Sequence, residues 1–101
     1  MRRDVRFDPA AEAEIVRLHD YILDRTGSHL VAEGYTDRIV DRCMRLADIP
    51  EQGTSHAHLR PGLRSIGFDR RVTIAFVVED TSVTILGIFY GGRDTGGLLG
   101  R

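Results

Sequence analysis

The run Arg71-Val-Thr-Ile-Ala-Phe-Val-Val78 alternates two side-chain sets, Val72/Ile74/Phe76/Val78 and Thr73/Ala75/Val77. After the polar break Glu79-Asp80-Thr81-Ser82, the run Val83-Thr-Ile-Leu-Gly-Ile-Phe-Tyr90 resumes the same β-branched and aromatic enrichment. Two such runs across a short polar loop are the signature of a β-hairpin. Neither run has a clean polar side. Both strands therefore belong inside a sheet, with one face under helices and the other partly covered. The remainder of the chain must supply neighbours for this hairpin and the helices that cover it.

The segment before the hairpin meets that requirement. Val5 and Phe7, flanked by Arg6 and Asp8, predict a short first strand. Asp8-Pro9 reads as an N-cap followed by proline at the first helical position. Glu12 and Glu14 then complement the dipole of the opening turns. Ala11, Ile15, Leu18 and Ile22 recur at helical spacing, and Gly27 stops the helix. Ser28 caps a second helix, roughly 29–47, with Ala32, Tyr35, Ile39, Cys43 and Leu46 along one stripe. Ile49-Pro50 ends it, and the two helices form an antiparallel helical hairpin.

Residues 48–61 form a long polar connection with proline and glycine, the kind of loop that is often functional. Leu63-Arg-Ser-Ile-Gly-Phe68 is a further strand, and Asp69-Arg70 turns the chain into the central hairpin. The predicted order is β-α-α-β-β-β: an α+β domain of two layers, its antiparallel sheet covered on one face by the helical hairpin. Residues 1–94 make one domain. Residues 95–101, in a stretch after Tyr90 with five glycines in eleven residues, are expected to be a flexible tail.

Composition narrows the function classes. A chain of 101 residues supports one modest core, and its 42% hydrophobic and 29% charged residues match an ordinary folded domain. No apolar run approaches the roughly 20 residues of a membrane helix, and Met-Arg-Arg-Asp does not open a signal peptide. The lone Cys43 forms no intrachain disulfide and agrees with a reducing cytoplasm. One cysteine and scattered histidines give no zinc spacing, so neither metal nor cofactor is expected. His56-Ala57-His58 offers two ligands without carboxylate support, or is polar loop filler.

Net charge is −1, with every positive side chain an arginine. The final 42 residues carry the basic excess, too weak for a general nucleic-acid binder. Guanidinium suits bidentate pairing with carboxylate or phosphate, though a codon bias toward arginine gives the same composition.

Five stretches in order resemble the ParE branch of the RelE/ParE toxin superfamily. They are Pro9-Ala-Ala-Glu-Ala-Glu14, Asp20-Tyr-Ile22, Leu46-Ala-Asp-Ile-Pro50-Glu-Gln-Gly53, Leu59-Arg-Pro-Gly-Leu-Arg-Ser65 and Tyr90-Gly-Gly-Arg-Asp94. The resemblance covers about residues 5–99. It implies the toxin of a type II toxin–antitoxin pair used in plasmid stabilisation, neutralised by a ParD-like antitoxin in a hetero-oligomer. ParE-type members block DNA gyrase by binding it, without chemistry or sequence-specific nucleic-acid recognition of their own. RelE-type relatives share the fold and cut mRNA on the ribosome, so the family leaves an inhibitor and a nuclease open. A third reading is a copy that keeps the fold and only binds an antitoxin.

A metal-independent nuclease needs an acid, a base and cations for the phosphate. If the chain is a nuclease, Arg64, Arg71, Tyr90 and Arg93 are the candidates. The sheet has no lysine, no histidine falls on a strand, and a tyrosine with pKa near 10 is a poor base. Tyr90 also stands where the ParE-like pattern often has histidine; the residue by itself reads first as an aromatic at a strand end with a solvated hydroxyl. Without chemistry, Arg64, Arg70, Arg71, Tyr90, Arg93, Leu98 and Leu99 are the candidate partner-binding residues. Adjacent leucines in a glycine-rich tail need cover from the core, the antitoxin or gyrase. Deleting residues 95–101 is expected to weaken toxicity and leave the fold intact. Full toxicity in the truncated chain would remove the tail from the mechanism.

Overall fold

The computed structural model describes residues 2–91; the tail residues Arg93, Leu98 and Leu99 lie outside it. Strand β1 is Asp4–Phe7, helix α1 is Pro9–Thr26, and helix α2 is His29–Met44 with a 3-10 turn at Arg45–Ala47. Strands β2 (Thr54–Ser55), β3 (Leu63–Phe68), β4 (Val72–Val78) and β5 (Ser82–Tyr90) follow. The sheet order is β1-β5-β4-β3-β2. Both helices pack on one face, giving the expected two-layer α+β fold.

The caps act where the sequence places them. The Asp8 side chain accepts from the Ala10 amide, and Ser28 Oγ accepts from the Val31 amide at 3.1 Å. Gly27, at φ 67°, closes α1 in the left-handed conformation that glycine adopts without a Cβ clash. Ala11, Leu18 and Ile22 of α1 meet Ala32, Ile39 and Cys43 of α2, over Val72, Ile74 and Phe76 of β4. Burial pushes the Cys43 thiol up to about 12, so it packs as a neutral core group.

Three features differ from the sequence reading. The sheet is mixed rather than antiparallel, because β1 runs parallel to β5 from Asp4↔Ser82 to Phe7↔Ile85. Both helices and three strands separate β1 from β5 along the chain, ample length for the crossover that parallel pairing requires. The polar segment 48–61 contains β2, which pairs with Arg64 and Ser65 at the far edge. Finally, the β4–β5 ladder shifts register between Ala75 and Phe76: Gly87 pairs with Ala75 and Ile85 with Phe76, so Leu86 is the extra residue of a β-bulge.

The bulge positions the site. In a regular strand, successive peptide groups point to alternate neighbours. Before the bulge, the Ile85 carbonyl faces β1, where it accepts from the Asp8 amide at 2.9 Å. After it, the Ile88 amide turns to the β1 side, while the Gly91 amide bonds Arg71 on the β4 side at 3.0 Å. Because β1 stops at Phe7, the stretch Leu86–Tyr90 has no neighbouring strand on that side among the described residues.

Candidate functional site

Two helical tyrosines, one strand tyrosine and the β3–β4 turn meet beside this bare stretch of β5. Tyr90 ends β5 with its ring 5.5 Å from that of Tyr21 on α1 and 6.3 Å from that of Tyr35 on α2. Tyr35 also stands edge-on to Phe68 at 5.7 Å. The Tyr35 hydroxyl donates to Asp69 Oδ2 at 3.1 Å. Guanidinium groups flank the rings, with Arg25 Cζ 5.8 Å from the Tyr21 centroid and Arg38 Cζ 5.5 Å from that of Tyr35.

The β3–β4 turn presents Asp69 and Arg71 to this cluster. Its two central residues, Asp69 and Arg70, have φ of 54° and 58°, and the Arg71 amide bonds the Phe68 carbonyl at 3.2 Å. Consecutive left-handed residues are the type I′ pattern that matches strand twist. Aspartate tolerates that conformation; an arginine pays about 1 kcal/mol for it. Arg70→Gly is therefore expected to raise stability by up to about 1 kcal/mol. A lower urea midpoint in the variant would show that the Arg70 side chain makes a stabilising contact instead.

The resulting cleft has a volume of about 410 Å³ and includes Tyr21, Arg25, Tyr35, Asp69, Arg71 and Tyr90 among its walls. A second groove of about 460 Å³ continues along α1 on the other side of the Tyr21–Tyr90 pair, lined by Glu14, Arg17, Leu18 and Ile88 to Gly91. Burial, then the hydrogen bond and charge of Asp69, push the Tyr35 hydroxyl up to about 12. Arg71 is raised above its ordinary value, first by the Tyr90 hydroxyl and next by Asp69. Among the described residues, Arg17, Arg25 and Arg71 have no carboxylate partner within ion-pair distance.

Tyr35 gains an alkaline dependence from this setting. Its folded pKa, about 12, exceeds the unfolded 10.0, so its stabilising share is complete below pH 10. That share is lost as pH rises toward 12. Absorbance titration of tyrosinate is expected to show a component near 12 that Tyr35→Phe removes; an unchanged curve in that variant would contradict the assignment.

Of the residues singled out from sequence, the fold brings Arg71 and Tyr90 together, with Arg70 exposed at the adjoining turn. Arg64 stands elsewhere. It lies four residues before Phe68 on β3, about 13 Å along the strand. There its Nε donates to the Gln52 carbonyl at 2.8 Å, while Arg42 Nη2 donates to Gln52 Oε1 at 2.8 Å. Arg64 thus ties the 48–61 loop to the sheet. His56 bonds Ser65 Oγ at 2.8 Å, with His58 beside it at a ring distance of 6.3 Å. Among the described residues, no group of three or more His, Cys, Asp or Glu is arranged to hold a metal.

Sequence reasoning missed Tyr21, Arg25, Tyr35 and Asp69 as cleft residues. Tyr35 sits on the core stripe of α2, and only its hydroxyl distinguished it from a pure core residue.

The model of the ParE toxin of the type II toxin–antitoxin system, parDE, matches residues 5–95. The chain belongs to the ParE toxin family. A solved structure titled "Chromosomal ParDE TA system from P. aeruginosa" superposes with a TM-score of 0.75 at 21% identity. The alignment covers 89% of this chain and 97% of that one, so the ParE fold is shared over nearly its full extent. No curated protein matches the chain. Within the ParE family frame, the Tyr90 cleft lies where the last strand of the fold ends.

Proposed function

We propose that this ParE toxin acts by binding DNA gyrase in the cytoplasm and is neutralised by a ParD-like antitoxin. The observation that carries an inhibitor over a nuclease is the chemistry of the cleft. A general base works best with a pKa near the operating pH. The described lining of the cleft offers arginines, tyrosines and Asp69, whose carboxylate already accepts from Tyr35, and no histidine. The same groups suit recognition, since tyrosine rings and guanidinium groups are favoured anchors at protein interfaces. Arg70, Arg71 and Tyr90 form the described part of the proposed gyrase surface, and Arg93, Leu98 and Leu99 extend it along the chain. Arg64 contributes by holding the loop beside the sheet. The family supports gyrase as the target, and no helix among the described residues is long and apolar enough to cross a membrane.

The RelE-like alternative draws on one feature, the convergence of Arg25, Arg71 and Tyr90 on a cleft large enough for a phosphate group. A supercoiling and cleavage assay with purified gyrase, run beside ribosome-programmed mRNA cleavage, separates the two. Loss of supercoiling with accumulating cleaved DNA and intact mRNA is the expected result. Cut mRNA with untouched gyrase would overturn it, and silence in both would indicate a copy that only binds an antitoxin.

A further inference from the structure

Beyond Phe7 no strand lies beside β5 on the β1 side among the described residues. A groove of about 460 Å³ runs there instead, between α1 and Ile88, Phe89, Tyr90 and Gly91. Side chains of consecutive strand residues point to opposite faces, so a groove lined by all four meets β5 along its edge. The Ile88 amide faces this gap and is taken by Glu14 Oε1 at 3.1 Å. Gly91 faces the other way, its amide donating to the Arg71 carbonyl at 3.0 Å. Backbone groups alternate sides along a strand, which turns the amide and carbonyl of Tyr90 into the gap. Among the described residues, neither has a hydrogen-bond partner.

The residues that follow Tyr90 suit this gap. A two-residue hairpin loop needs a closing strand residue whose amide and carbonyl face the returning strand, then residues that accept positive φ. Tyr90 meets the first condition. Gly91, at φ 91°, and Gly92 meet the second. In such a turn the first loop amide points away from the returning strand, the direction Gly91 takes toward Arg71. In that register Arg93 falls opposite Tyr90, Asp94 opposite Phe89 and Thr95 opposite Ile88. Gly96 and Gly97 fall beside Gly87 and Leu86, where the bulge ends the bare stretch and Phe7 of β1 takes over. The chain thus carries, directly after β5, a segment of the length that the gap accepts.

We propose that the toxin's own tail is the occupant of this edge: Gly91-Gly92 make the turn, and residues 93–97 return along β5 as a short antiparallel strand in line with β1. The Tyr90 amide and carbonyl bond Arg93, and the Thr95 carbonyl replaces the Glu14 carboxylate on the Ile88 amide. An uncovered edge is a template for pairing with other chains. The strap covers it in the partner-free toxin. Glycine inside a strand weakens it, so Gly96 and Gly97 keep the strap displaceable. The assignment goes beyond the choice of target, because it stands on the backbone of β5 alone.

The test uses the full chain, labelled with ¹⁵N and ¹³C. Facing residues of a non-hydrogen-bonded pair approach closely, so a nuclear Overhauser cross-peak is expected between the Phe89 and Asp94 Hα protons. Gly92→Val, which opposes positive φ, is expected to remove that cross-peak. It is also expected to speed Tyr90 amide exchange about fivefold or more, the weight of one hydrogen bond. Glu14→Ala separates the two acceptors of Ile88. In the full chain the Ile88 amide is expected to stay protected, through Thr95, and to lose protection only when residues 92–101 are also deleted. Unchanged Ile66 and Ile74 signals in every variant serve as the control for the fold. Absence of the Phe89–Asp94 cross-peak overturns the proposal, as does Tyr90 exchange that Gly92→Val leaves unchanged. Loss of Ile88 protection in full-length Glu14→Ala overturns it as well. Tyr90 protection that rises with protein concentration also does, because a second copy would then hold the edge.

Discussion

Arg71→Glu is expected to reduce gyrase inhibition by at least about tenfold, because reversing a charge replaces attraction with repulsion at a docking surface. The substitution also sets a second carboxylate beside Asp69, whose Oδ2 accepts from Tyr35 at 3.1 Å. Loss of function must therefore be separated from loss of the turn. Tyr35→Phe serves as the comparison, since it removes the hydrogen bond to Asp69 and leaves the guanidinium in place. Supercoiling inhibition measured for both variants, with thermal melts alongside, gives the answer. A folded Arg71→Glu chain with undiminished potency would remove the cleft from the gyrase surface.

Phe76→Ala is the substitution expected to cost the most stability. Phe76 is 0% exposed on the central strand, and its ring faces the helices with Val72 and Ile74. Truncating a buried phenylalanine costs about 3–5 kcal/mol in lost burial and residual cavity. A domain of this size has roughly 5–15 kcal/mol in total, so the variant retains a small margin or none. Its melting temperature is expected to fall by more than about 12 °C. Phe76 also flanks the register shift at Ala75/Phe76, and its loss is expected to loosen the bulge that orients the Ile88 amide. A variant that melts within a few degrees of the parent would mean that the helices close over the cavity at little cost.

The elements that could be read locally were read correctly. The alternation of Val72, Ile74, Phe76 and Val78 encodes strand β4 in adjacent residues, and Asp8, Gly27 and Ser28 mark helix ends by their own hydrogen bonds and dihedrals. Three features have no local signature. Four residues of β1 carry too little pattern to specify a parallel partner nearly eighty positions later. Thr54–Ser55 pairs for two residues inside a polar loop, with no hydrophobic alternation to announce it. The bulge at Leu86 sits within an unbroken apolar run, where one added residue leaves composition unchanged.

The site divides in the same way. Arg71 and Tyr90 were legible because turn chemistry and a strand end mark them. Arg64 reads as their neighbour in sequence, yet the extended backbone of β3 carries it away to Gln52. Tyr21, Arg25 and Tyr35 join the cleft through the packing of α1 and α2 against β5, a relation that no segment of sequence contains by itself. Family resemblance supplied the toxin assignment, whereas the contacts of the cleft came from tertiary structure.

The sheet order has a consequence for how the chain matures. β5 lies between β1 and β4, although β1 is synthesised first and β5 last of the five strands. Until β5 leaves the ribosome, β1 has no strand to pair with and α1 lacks the β5 surface it packs on. Contacts so distant in sequence form late, after a costly chain closure. The Tyr90 cleft therefore forms only after β5 has been synthesised and has taken its place between β1 and β4.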